Sequence, residues 1–243
     1  MVLPTGEVLN LGGKLIKNVA GYDLMHLMIG SEGTLGVITK VILRLYPKPK
    51  ASMTMIVAFN DRHDAIRSVP KILQAGITPL AIEYVERVSV ERASKEIGIP
   101  WPAKKGNAFL IVILTADSQD ELYAMADRVD EICRANNAVE TLVAERKREQ
   151  EDILKIRSQV GETGEHTLDV LDIAVPPANL AKLMDELDAI AKRYNAQMPV
   201  YGHAGDGNLH PEILDDKAGG IRPELLDEFR REIYKAVVAL GGT

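Results

Sequence analysis

The chain is poor in several features, and each shortage excludes a class of protein. It has a single cysteine, Cys133, so it forms no internal disulfide. That thiol reads as an apolar filler on a helix, in keeping with a reducing compartment. It has no long hydrophobic run, and the longest, Ala108 to Leu114, is far too short to cross a bilayer. Its first residues, Met1-Val2-Leu3-Pro4-Thr5-Gly6, show no basic region followed by an apolar stretch. They do not read as a signal peptide, and the expected address is the cytoplasm, with peripheral attachment at the inner membrane as a variant. It has no basic block or stripe, and its net charge is −6. Neither nucleic acid nor an anionic membrane surface is expected as a main partner. No Gly-x-Ser-x-Gly or Cys-His arrangement supports a covalent nucleophile, and no solenoid repeat is visible.

What remains is an ordinary globular mixture of 243 residues, 46% hydrophobic and 26% charged. A chain of this size buries about 70% of its unfolded surface, enough for one large core or two small ones. Val2-Leu3 and Val8 to Leu11 flank a turn-rich Pro4 to Glu7 and read as a hairpin. Asp23 is placed to cap a short helix ending at Gly30. Val37 to Leu45 is rich in β-branched residues and reads as a strand. The stiff link Tyr46-Pro47-Lys48-Pro49-Lys50 then marks a boundary, giving units 1–50 and 51–243.

After the link, strands are expected at 53–59, 80–85, 108–114 and 139–144. Helices are expected at 62–74, interrupted at Pro70, then from Val85 to about 96 and from a Ser118 cap to about 136. Leaving aside the extra helix after Val85, the order is β-α-β, β-α-β, that of a ferredoxin-like antiparallel sheet, here expected with helices on one face. A charged helix at 144–161, a strand at 168–175 and a helix from Pro176-Pro177 to about 194 follow. The last carries a Leu and Met stripe that reads as core. The chain closes with two short strands within 199–214 and a helix at 223–240. The fold class is α+β.

The sharpest chemical signal is Tyr201-Gly202-His203-Ala204-Gly205-Asp206-Gly207-Asn208-Leu209-His210-Pro211. In one continuous strand His203 and His210 would point to opposite faces. Asp206-Gly207 is a preferred two-residue hairpin turn. Folding there pairs 205 with 208, 204 with 209 and 203 with 210, with the histidine Cβ atoms about 5 Å apart. Two imidazoles so placed suit one divalent metal, with Asn208 on the same face. A catalytic zinc usually takes a third protein ligand, and Glu212 is the nearest candidate on the right face.

Gly30, Gly33 and Gly36 recur at every third position in Gly30-Ser31-Glu32-Gly33-Thr34-Leu35-Gly36-Val37-Ile38. This is neither G-x-G-x-x-G nor a Walker loop, and the helix-loop-strand order is the reverse of a Rossmann entry. A bland helix-to-strand turn and a loop that lies against a flat ligand both fit these residues.

Lys17-Asn18-Val19-Ala20-Gly21-Tyr22-Asp23-Leu24, then Gly30 to Thr39, then His203 to Pro211 together resemble the FAD-linked 2-hydroxyacid dehydrogenases. These include the glycolate oxidase flavin subunit, D-lactate dehydrogenase and D-2-hydroxyglutarate dehydrogenase, and the likeness covers essentially the whole chain. It implies that 1–50 is the C-terminal part of a PCMH-type flavin-binding domain and that 51–243 is the FAD-linked oxidase cap domain. It implies FAD, with Gly30 to Ile38 lining part of its site. It also implies a divalent metal (Zn, Mn or Fe) held by His203 and His210, and substrate contacts at Asn208 and Arg157, the latter clamping a carboxylate. The implied substrate is a small D-2-hydroxyacid oxidised by hydride transfer to flavin. An electron acceptor or partner oxidase subunit would follow.

The family's pyrophosphate loop lies upstream of the motifs found here. Its third metal ligand and proposed base lie in a Ser-Gly-Glu-His-Gly segment expected beyond Thr243. Alone, this chain is therefore expected to show no turnover and weak or no flavin binding. Two other readings stay open. One is a non-catalytic metal- or partner-binding module, favoured by an exposed apolar surface on 1–50. The other is a metal-dependent hydrolase using His203, His210 and Glu212, which would lose its metal on Glu212→Ala. The flavoenzyme reading expects that substitution to do little.

Overall fold

The computed structural model describes residues 1–162 and 164–243. The chain separates into two compact units, Met1–Lys48 and Pro49–Thr243.

In the first unit Val2 bridges both Val8 and Val37. Leu3 N–H donates to Glu7 and Gly6 N–H to Leu3, closing the expected turn. Helix α1 (Leu24–Met28) is capped by the Asp23 carboxylate, which accepts from the His26 N–H. The expected strand from Val37 to Leu45 is not formed beyond the Val37 bridge, and Val41, Ile42, Leu43 and Leu45 are exposed. A β-branched run becomes a strand only where a neighbour takes its N–H and C=O groups, and within this unit Val2 alone does so.

The second unit has strands β1 (Ala51–Phe59), β2 (Ala81–Glu86), β3 (Ala108–Ala116), β4 (Ala138–Ala144), β5 (Thr167–Val170), β6 (Ile173–Ala174), β7 (Val200–His203) and β8 (Asn208–Leu214). Its helices are α2 (Arg62–Gln74), α3 (Arg87–Ile97), α4 (Gln119–Arg134), α5 (Lys147–Gln159), α6 (Leu180–Arg193) and α7 (Leu226–Ala239). The strands form one sheet in the order β4-β1-β3-β2-β7-β8-β5, with β6 also on β8, and every ladder is antiparallel. The first four strands give the ferredoxin-like order.

Helices cover both faces of this sheet, not one. Met53, Met55, Val57 and Phe59 of β1 pack with α2, α4, α6 and α7 in the larger core. Ile56 and Ala58 of the same strand pack with α3 and α5 in the smaller one. A strand apolar at consecutive positions buries both of its faces, and β1 and β3 are such strands. The expected Leu and Met stripe is core: Leu180, Leu183, Met184, Leu187 and Ile190 are buried. Helix α2 runs through Pro70 without interruption, its Asp61 cap accepting from the His63 N–H.

Two further expectations are corrected around β8. The strand expected at 168–175 is split, because Leu171 and Asp172 face His210 and Pro211 between the Val170↔Glu212 and Ile173↔Leu209 pairs. Pro211 accepts from Leu171 N–H but has no N–H to return. The β7–β8 hairpin also turns through more residues than expected. Ala204–Asp206 make a 3-10 turn and Gly207 closes it in the left-handed region at φ +81°. The closing pair is therefore His203↔Asn208, and His210 faces Tyr201. The longer loop buries Ala204 in the larger core.

Gly207 is required twice over, since a Cβ there would stand 2.0 Å from the Val175 carbonyl oxygen in a backbone conformation disfavoured for other residues. Gly207→Ala is expected to lower the unfolding free energy by about 2 kcal/mol or more, measured as a fall in urea midpoint at unchanged slope.

Candidate functional site

Alternation along three strands collects the polar side chains. On β8, Leu209 and Ile213 enter the larger core, so His210 and Glu212 point the other way. On β7, Val200 enters the larger core while Tyr201 enters the smaller one, and His203 shares the side of Tyr201. On β2, Ile82 and Tyr84 take the larger core and Val85 the smaller. Glu83 therefore emerges beside His203, because Tyr84 pairs with Gly202.

The two histidine rings lie 5.7 Å apart, centre to centre, and nearly perpendicular. The longer loop moved their register by two residues, which preserves the face. They are diagonal neighbours instead of the direct pair expected. His210 is mostly buried and tilts against Tyr201 at 5.3 Å. Burial lowers its pKa, while the Asp172 carboxylate at 3.7 Å acts in the opposite sense. His203 is half exposed, with Nδ1 2.8 Å from Glu83 Oε1.

Arg157, on α5, is not a solvated helix charge. Its side chain is 12% exposed, Nε donates to Glu83 Oε2 at 2.8 Å, and Nη2 lies 2.8 Å from the same oxygen in an ion pair. The guanidinium also lies 5.5 Å from the Tyr201 ring centre. Asn208 shares the face of His210, and its amide donates to Asp172 Oδ1 at 2.7 Å and to the Ile173 carbonyl at 3.0 Å.

The histidine pair suits a divalent cation. Burial favours the neutral form of His210, and a carboxylate orients His203 through its Nδ1, a common support for metal-bound histidine. Among the described residues no group of three His, Cys, Asp or Glu gathers to hold an ion, so these two side chains could supply at most two positions of such a site.

Glu212 does not supply a third. It is 1% exposed, and its carboxylate accepts from Arg92 Nη1 at 2.9 Å, Arg92 Nη2 at 2.8 Å and Thr167 Oγ1 at 2.7 Å. Hydrogen bonding to this carboxylate raises the Arg92 pKa. The expectation that Glu212 is a third metal ligand is corrected, because its carboxylate is engaged by Arg92 and Thr167. Residue-by-residue reading also missed Glu83. A lone carboxylate inside the apolar strand Ala81-Ile82-Glu83-Tyr84-Val85 was its signal, since a buried acid needs a buried partner.

The Gly30 to Ile38 loop belongs to the first unit. Gly30 ends α1 at φ +83°, and Thr34 N–H and Oγ1 both return to the Ser31 carbonyl. Gly36 is buried against Val2, whose carbonyl oxygen would lie 2.7 Å from an added Cβ. Its glycine is therefore explained by chain pairing, whereas Gly30 and Gly33 face open space.

Because one partner of a buried pair cannot be removed cheaply, Glu212→Ala should destabilise the fold by about 3 kcal/mol. That is the low end of the range, since Arg92 is 37% exposed. Urea unfolding measures the loss, and calorimetric titration with zinc should show metal affinity unchanged within about threefold, a difference of under 1 kcal/mol.

Comparison with known proteins places this geometry in a family. Residues 48–243 match the family model described as FAD linked oxidases, C-terminal domain. The chain is 35% identical to a D-lactate dehydrogenase of Archaeoglobus fulgidus over 99% of its own length and 52% of the relative's. It is 32% identical to glycolate oxidase subunit GlcD of Bacillus subtilis over all of its length and 52% of the relative's. It thus spans about half the length of these curated relatives. Its fold resembles solved structures of alkyldihydroxyacetonephosphate synthase (TM-score 0.57, 18% identity, 99% of this chain and 48% of that one). It also resembles p-cresol methylhydroxylase with substrate bound (TM-score 0.55, 10% identity, 81% and 45%). The polar face, the sheet that carries it and the matched residues lead to one conclusion: the chain belongs to the FAD-linked oxidase family, and Lys48 to Thr243 form its C-terminal domain.

Proposed function

We propose that this chain is the substrate-side part of an FAD- and divalent-metal-dependent oxidoreductase acting on a small D-2-hydroxyacid of the glycolate or D-lactate class. The observation that carries the reading is the gathering of His203, His210 and Arg157 on one sheet face. A carboxylate and the adjacent hydroxyl of such an acid need one cationic fork and one Lewis-acidic centre side by side. The curated relatives named D-lactate dehydrogenase and glycolate oxidase subunit support the substrate class.

In this reading His203 and His210 hold the cation. Arg157 receives the substrate carboxylate, and Asn208, tied to Asp172 and Ile173, lines the same face. Bound FAD would supply the hydride acceptor. Gly30 to Ile38 would contribute to its site, with Gly30 and Gly33 leaving room for close backbone approach. Residues 1–48 would belong to the flavin-binding domain. Their exposed Leu15, Ile16, Val19, Tyr22, Val41 and Leu43 suit burial against further protein. That same exposure keeps a partner-binding role for the first unit as the second reading. No helix among the described residues is long and apolar enough to cross a membrane.

The reading is tested in the gene product expressed with its genomic flanking sequence and supplied with FAD. Dye reduction driven by D-lactate or glycolate is followed. Arg157→Lys should raise KM about tenfold or more, because an ammonium cannot form the paired bonds of a guanidinium. His203→Ala and His210→Ala should each cut turnover by about 100-fold or more. Wild-type rates in all three variants would refute the assignment.

A further inference from the structure

Among the described residues Glu83 is the one acid that touches both His203 and Arg157. It is 8% exposed, and its two oxygens are divided: Oε1 faces His203 Nδ1 at 2.8 Å, and Oε2 accepts from Arg157 Nε and pairs with Nη2. We propose that Glu83 is the positioning residue of the site, setting the tautomer of His203 and the orientation of Arg157 through one shared carboxylate. The proposal rests on the preceding reading of His203 as a metal ligand and Arg157 as the carboxylate clamp.

The chemistry of the donors requires the arrangement. A guanidinium has only N–H groups to offer, so Oε2 must accept from it. A carboxylate oxygen can only accept from a ring nitrogen, so His203 carries its proton on Nδ1. Its Nε2 is then left with a lone pair, the form in which imidazole binds a cation. Arg157 meanwhile spends one edge on Glu83. Its Nη1 takes no hydrogen bond among the described residues and is left for an incoming anion.

The near-isosteric variant Glu83→Gln separates this role from packing. The amide offers one accepting oxygen and one donating NH2. Arg157 cannot accept, so it takes the oxygen, and the NH2 faces His203 Nδ1. An imidazole can answer by accepting there and moving its proton to Nε2. The variant is therefore expected to exchange one His203 tautomer for the other while leaving the fold in place.

The test is long-range proton–nitrogen NMR of the histidine rings in the metal-free chain, at a pH where both are neutral, alongside zinc titration by calorimetry. The wild type should show His203 as the Nδ1–H tautomer. Glu83→Gln should show the Nε2–H form and bind zinc about 10- to 100-fold more weakly. Glu83→Ala should lose the tautomer preference and show a similar fall in affinity. An unchanged tautomer in folded Glu83→Gln overturns the proposal, and thermal melting confirms that the variant is folded. If Glu83→Ala fails to fold, the Gln variant decides alone. If the wild type binds no zinc yet the tautomer still switches, the metal reading fails and the positioning role of Glu83 stands.

Discussion

The chemistry of the second unit depends on the pleat. Side chains in a strand alternate between faces, so a residue changes side only if its register slips by an odd number. The β7–β8 loop is longer by two than the shortest turn would give, and the slip is even. His203 and His210 therefore stay together on the face opposite the larger core, although their cross-strand partners changed. The same alternation in β2 delivers Glu83 to them through the Tyr84↔Gly202 pair. An odd loop would have buried one histidine among Leu209, Ile213 and Val200.

That face is populated by charges that must be satisfied, because an unpaired buried ion is costly. The structure satisfies them in two separate sets. Glu83 serves Arg157 and His203, and Glu212 serves Arg92 and Thr167. Tyr201 lies between them, close enough for Arg157 to stack on its ring and for Glu212, after burial itself, to raise the phenol's pKa. The two carboxylates look alike in sequence but act differently. Glu83 borders the half-exposed His203, while Glu212 is sealed beneath its arginine. Burial and partner, not residue type, separate a site residue from a structural one.

Much of the fold was legible locally. The Ser118 cap, the Asp23 cap and the α6 stripe are read from spacing, and each acts within about three helical turns. The β-α-β order followed from the same short-range patterns. The failures share a cause. The run from Val37 to Leu45 has strand-forming residues, but its ladder partner is a long-range matter. The split near Asp172 comes from Pro211, forty residues away along the chain and opposite in the sheet. Helices on both faces were implied by the uniformly apolar β1 and β3, a signal that marks a strand without saying what covers it.

By itself the sequence determined most of the element types of the second unit, the placing of two histidines on one face around a glycine turn, and the motifs that lead to the oxidase family. These depend on residues near one another in the chain, where backbone preference and side-chain period decide the outcome. The tertiary structure alone decided which acid meets which base. Glu83 reaches His203 across 120 positions and Arg157 across 74, and Arg92 reaches Glu212 across 120. No local rule fixes such partners; they are selected when the two cores close around the sheet and every buried charge must find an opposite one within reach.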